Sequence, residues 1–201
     1  MPRPARYDTD TILDAALAEF DAVGARGLSV AGVARALGAP SGSLYHRFPS
    51  RDALIGTLWL RAAEGFQAGY LQRLAADRPA IDCAVDGALH VLRWSRARPV
   101  EARLLVVYRW QDLVAPEWPE EIATRARATA AALDEGLRGI AARLLPEDPE
   151  ALLRVRWALT SIPYSAVRPG LADGRPIPPA LDAMVERAVR AVLLQGAERG
   201  A

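Results

Sequence analysis

Lysine is missing altogether: all 25 Lys-plus-Arg positions are arginine. A planar guanidinium suits phosphate recognition, yet arginine runs through stretches far from any such role, so a coding bias toward GC-rich codons explains the usage better. One cysteine, Cys83, leaves no partner for an intramolecular disulfide and no cysteine cluster for zinc. It reads as a small buried hydrophobe rather than a redox sensor. Two histidines, His46 and His90, are the only imidazoles. No nucleophile elbow, phosphate loop, metal-spaced cluster or paired carboxylates appear. The chain therefore does not read as an enzyme, and no cofactor or metal is expected; a cofactor-free helical enzyme is the remotest alternative. No apolar run approaches the length of a membrane span, and the start, with Arg3 and Arg6, lacks a signal-peptide pattern. The expected setting is the cytoplasm, with no membrane partner. Residues before Asp8, where Pro2 and Pro4 discourage a helix, read as a mobile arm.

What is present is helix-forming. About half the residues are apolar, with alanine and leucine dominant, and neither strand-like alternation nor a repeat occurs. In Leu28–Phe48, Val30, Val33, Ala34 and Leu37 recur at helical spacing, and Leu44 and Phe48 stand four apart after a break. Ser29 occupies an N-cap position, Gly38 a helix end that favours left-handed backbone, and Pro40 a turn or first helical position. Two short helices across a glycine turn describe a helix-turn-helix, whose second helix can enter a major groove. The whole-chain charge of +1 conceals local asymmetry. From Ala22 to Arg51 there is no acidic residue, while Arg26, Arg35, Arg47 and Arg51 fall inside it. Asp10, Asp14, Glu19 and Asp21 crowd just upstream. Phosphate binding needs a local basic surface, not a basic protein.

Upstream, Asp8 or Thr9 caps a first helix with the apolar stripe Ile12, Leu13, Ala16, Leu17 and Phe20, ended by Gly24 and Gly27. Ser50 caps a long fourth helix running to about Ala76. Prolines 79, 99, 119, 149 and 179 divide the remainder into helical segments at 81–97, 100–113, 120–145, 150–167 and 181–195. Pro163 is expected to kink or end its helix, and Arg168–Pro178 reads as a loop. Trp59, Tyr70, Trp94, Tyr108, Trp110, Trp118, Trp157 and Tyr164 form an aromatic set that suits either plain core or the lining of a cavity. The last helices are apolar over much of their circumference, which suits a two-fold interface or a central helix wrapped by neighbours.

The run Ile12–Leu54 resembles the DNA-binding domain of TetR-family transcriptional regulators. Ala16, Phe20, Gly24, Val33-Ala34, Gly38, Leu44-Tyr45, Phe48, Ser50 and Leu54 carry the likeness. Several ordered positions make it specific over about a quarter of the chain. It departs from the family pattern at Pro40 and Ser41, where a serine followed by a longer polar residue is common, and base readout then falls to Ser41, Ser43 and His46 or to DNA shape.

The resemblance implies an all-α protein: a three-helix DNA-binding domain at 1–50, then a larger helical effector-binding and dimerisation domain at 51–201. The recognition helix opens at Pro40, Ser41, Gly42 and Ser43, whose amides and hydroxyls can face the duplex, with Ser29 alongside. Carried over from the family, Tyr45 and His46 approach the phosphate backbone and Arg51 stands where a lysine is usual; Arg47 adds a contact. Trp59, Tyr70, Trp94, Tyr108, Trp110, Trp157 and Tyr164 are the candidates for a small-molecule effector site. The family's pairing through its last two helices favours the interface reading, with Leu159, Val185, Val189 and Val192 at a homodimer contact. The implied function is a repressor that releases its double-stranded DNA operator when an effector binds. An architectural helix-turn-helix protein without an effector is the main alternative.

Overall fold

Local capping determines where the first helices begin. In a computed structural model, which describes residues 8–108 and 120–194, Asp8 accepts from the Thr11 N–H at 2.7 Å and starts α1, Thr9–Gly27. Gly24 interrupts it at φ 70°, a left-handed value that glycine adopts without a Cβ penalty. Ser29 accepts from Gly32 N–H at 3.0 Å to open α2, Val30–Ala36. Gly38, at φ 61°, turns the chain into α3, Ser41–Arg47. Ser50 accepts from Ala53 N–H at 3.0 Å and opens α4, Arg51–Leu74. Each cap fills one of the donors that a helix start leaves unpaired.

Then follow α5, Ala80–Ala97, α6, Pro99–Val107, and α7, Glu120–Leu144. The eighth helix, α8, spans 151–173 as Ala151–Arg156, a π turn at Trp157–Ser161 and Ile162–Asp173. The ninth, α9, is Leu181–Leu194. The regular elements among the described residues are all helices, with no strand among them. The expected all-α class is therefore the observed one. No described helix is long and apolar enough to cross a membrane.

Two apolar cores result. One gathers Ile12, Leu13, Phe20, Val33, Leu44 and Phe48 with Leu54, Leu58 and Ala62 of α4, and takes in Leu104 of α6. The other gathers Tyr70, Leu74, Leu92, Leu137, Leu159, Val167, Val185 and Val189. Helix α4 contributes to both. Its last carbonyl, that of Leu74, accepts from the Arg143 guanidinium at 2.9 Å, a cation at the negative end of the helix dipole that also donates to the Arg78 carbonyl beyond the helix at 2.9 Å.

Two expectations change here. Of the two outcomes expected at Pro163, a kink or an end, the end does not occur: the chain passes through the π turn and stays helical to Asp173. In an α-helix the residue at 163 would donate to the Leu159 carbonyl; proline has no N–H to do so. The Tyr70 hydroxyl, 1% exposed, donates to that carbonyl instead at 3.1 Å. The expected loop at 168–178 is helical as far as Asp173, because Val167 and Leu171 are both drawn into the larger core. The turn begins only at Gly174, at φ 65°.

Candidate nucleic-acid interface and effector cavity

Leu44, 1% exposed, pins α3 to the first core. Its neighbours on the opposite face, Ser41, Gly42, Ser43, Tyr45, His46 and Arg47, are all exposed, and so is Pro40. Tyr45 leaves nearly half its surface (46%) in solvent. The Ser43 hydroxyl donates back to the Pro40 carbonyl at 2.9 Å, which shapes the start of the helix. Arg47 reaches Thr9 Oγ1 at 3.4 Å. Arg26 and Arg35 are exposed in the same acid-free stretch.

Two of the predicted DNA contacts have other work. Ser29 commits its hydroxyl to the α2 cap. Arg51 donates through Nε to the Leu28 carbonyl at 2.8 Å and through Nη2 to the Ala25 carbonyl and the Tyr108 hydroxyl. Tyr108 in turn donates to the Ala25 carbonyl at 3.0 Å, and its own carbonyl accepts from Trp59 Nε1 at 2.9 Å. Partial burial raises the Tyr108 phenol above its ordinary pKa, with Arg51 opposing. Arg103, at the middle of α6, pairs with Asp21 of α1 at 2.6 Å and lies over the Phe20 ring at 5.2 Å. Sequence reasoning could not see this junction, because its partners are backbone carbonyls and residues some 80 positions apart.

The aromatic set divides. Tyr70 and Tyr164 line a cavity of about 340 Å³ with Phe66, Val91, Leu133, Leu159, Thr160 and Ser161. Trp94 and Tyr164 line a smaller one of about 150 Å³, to which Phe66 and Val91 also belong. Trp59 and Tyr108 sit at the junction just described and line neither. Trp157 is more than half exposed, and Trp110 and Trp118 lie outside the described residues. Phe66, Val91, Leu133, Thr160 and Ser161 were missed. The π turn that presents Thr160 and Ser161 was signalled only by Pro163. A larger hollow of about 620 Å³ lies near the 174–179 link. Its three arginines, 96, 103 and 175, are already paired with Asp182, Asp21 and Asp173.

His90, on α5 behind the first cavity, offers Nε2 to the Phe66 carbonyl at 3.1 Å. A carbonyl only accepts, so Nε2 carries the proton. Burial lowers the His90 pKa, outweighing the opposing effect of that carbonyl. Burial likewise pushes the Tyr70 phenol upward.

Residues 12–58 match a family model described as bacterial regulatory proteins, tetR family. The chain carries a tetR-family DNA-binding domain. Solved structures share the fold along nearly the whole length of the chain. A TetR family transcriptional regulator, PfmR, from Thermus thermophilus superposes at TM-score 0.64 with 20% identity, covering 91% of this chain and 97% of that one. A tetR family transcription regulator from Shewanella sp. PV-4 gives 0.66 and 23%, covering 94% and 97%. The fatty acid degradation regulator FadR from Bacillus halodurans gives 0.66 and 15%, with the same coverage. No curated protein matches the sequence.

The expected pairing residues lie mostly inside the chain's own core. Leu159 and Val189 are 0% exposed and Val185 3%, all within the larger core, so a partner cannot reach them; Val192 is partly buried. The apolar side chains that α8 and α9 do present are Leu153, Trp157, Tyr164, Met184 and Leu194, each between 43% and 64% exposed.

Proposed function

We propose that this protein is a TetR-type transcriptional regulator, a homodimeric repressor that leaves its operator when a small molecule fills the paired cavities. Residues 1–50 serve as the DNA-binding domain and 51–201 as the effector and dimerisation domain. Ser41, Gly42, Ser43, Tyr45, His46 and Arg47 face the duplex, phosphate contacts setting position and base edges setting sequence. The exposed Leu153, Trp157 and Met184 on the last two helices supply the apolar contact for a two-fold partner. Two copies of α3 then meet successive major grooves about 34 Å apart.

The observation that carries the reading is the position of α6. On one side Ala102, Leu105 and Val106 line the smaller cavity. On the other Leu104, 0% exposed, sits in the DNA-binding core, and Tyr108 is bonded to α1 and to the start of α4. A molecule that prefers one placement of α6 and α4 thereby biases the placement of α3, which is the thermodynamic requirement for coupling. Selection of bound fragments from random duplex DNA, followed by fluorescence anisotropy on the recovered sequence, tests this. A preferred sequence bound by a dimer and released by a small molecule is expected. Equal binding to every duplex, with no releasing compound in a broad screen, would refute it.

A further inference from the structure

We infer that the molecule held in the paired cavities is electrically neutral: an apolar body with one hydroxyl or carbonyl group. The inference rests on the reading of those cavities as the effector site. None of the described lining residues of either cavity carries a charge. An ion drawn between these apolar walls gives up water and gains no counter-charge, which is disfavoured, whereas a neutral polar group needs only a hydrogen bond.

The hydrogen-bonding capacity is specific. Tyr70 is committed to the Leu159 carbonyl, and the Thr160 hydroxyl to the Arg156 carbonyl at 2.5 Å. Ser161 and Tyr164 also line the larger cavity, and among the described residues their hydroxyls have no partner. They can meet one polar group of a ligand, as donor or acceptor. The smaller cavity, walled by Ala102, Leu105, Val106 and Leu171, suits only hydrocarbon.

A cation held on ring faces is the obvious rival. Phe66 offers little for it. Tyr70 stacks on that ring at 5.4 Å, His90 lies 5.3 Å away and Trp94 meets it at a 74° angle. Nor does His90 offer an anion a charge: it lines neither cavity, its Nε2 proton is held by the Phe66 carbonyl, and burial favours the neutral ring.

Calorimetric titration of the full chain at pH 7.5 with 1-octanol, octanoate and octylammonium tests the inference. The alcohol is expected to bind at least tenfold more tightly than either ion. Val91→Phe and Leu133→Phe, which narrow the larger cavity, should each weaken it tenfold or more. Octanoate or octylammonium binding as tightly as the alcohol would overturn neutrality, and so would no binding of 1-octanol. An alcohol affinity unmoved by both filling variants would place the ligand elsewhere and overturn the inference too. The comparison of probes is made on the wild-type protein, so a variant that fails to fold does not decide it. Anisotropy on the selected duplex separates the two readings: alcohol bound in the cavities with the duplex retained upholds neutrality and refutes release.

Discussion

Replacing Tyr70 by phenylalanine removes a single hydroxyl whose hydrogen bond to the Leu159 carbonyl is fully buried. The ring remains, so no cavity opens, and the loss is that of a buried acceptor deprived of its donor. Such a group costs about 1–3 kcal/mol, and the middle of that range corresponds to a fall in Tm of roughly 4–8 °C for a chain of this size. The π turn supplies an internal control. Pro163→Ala restores an N–H in the turn that follows Leu159, giving the carbonyl a second candidate donor. In the Pro163→Ala background, Tyr70→Phe should therefore cost less, with a coupling of about 1 kcal/mol, in the range seen for residues that share a partner. Calorimetric or circular-dichroism melting of the four proteins measures it. Strict additivity would show that the tyrosine does not stand in for the missing proline donor, and the account of the π turn would fail.

Three other outcomes follow from the geometry. Arg47→Ala should weaken DNA binding across sequences and lower the salt slope by about one, whereas Arg51→Ala should lower Tm and leave the slope nearly unchanged, because its donors serve Ala25, Leu28 and Tyr108; equal slope changes in anisotropy would contradict that division. Met184→Asp should raise the dimer dissociation constant at unchanged fold, while Val189→Asp, at a wholly buried position, should unfold the chain; sedimentation with parallel melting curves distinguishes them. The folded His90 pKa lies below its unfolded value near 6.5, so the unfolded chain takes up the proton first. That contribution to stability is complete above pH 6.5 and lost as pH falls from there through the folded value. His90→Gln should flatten this part of the stability–pH curve, and an unchanged acid slope would exclude His90 as its source.

The first domain was legible because its signals are local. A serine or aspartate three residues before a helical N–H, and a glycine where the backbone turns left-handed, act over a few positions and can be read one stretch at a time. Leu44 inward with Tyr45 and His46 outward follows from the same periodicity. The second half defeated the same method in two places. Pro163 reads as a kink or an end and 168–178 as a loop, yet Val167 and Leu171 bury enough surface to hold the stretch helical to Asp173, and a tyrosine 93 positions before Pro163 meets the carbonyl left without its usual donor. On α9 both apolar sides looked available for a partner; which one the chain covers itself depends on α5, α8 and α9 meeting, and no window of sequence contains that information. Arg51 shows a third kind of failure: its residue type matched a phosphate contact, but its partners are carbonyls of distant residues, invisible in the sequence.

Cys83 lies wholly covered in the larger core, its sulfur 3.3 Å from the Ala76 carbonyl and 3.9 Å from Arg143. Since the sequence holds no second thiol, the rate at which a sulfhydryl reagent labels the native protein counts how often this half of the molecule breathes open. The half built around α1–α3 is silent in that assay. One chemical stopwatch can thus time the half around the larger core alone, with and without an added compound.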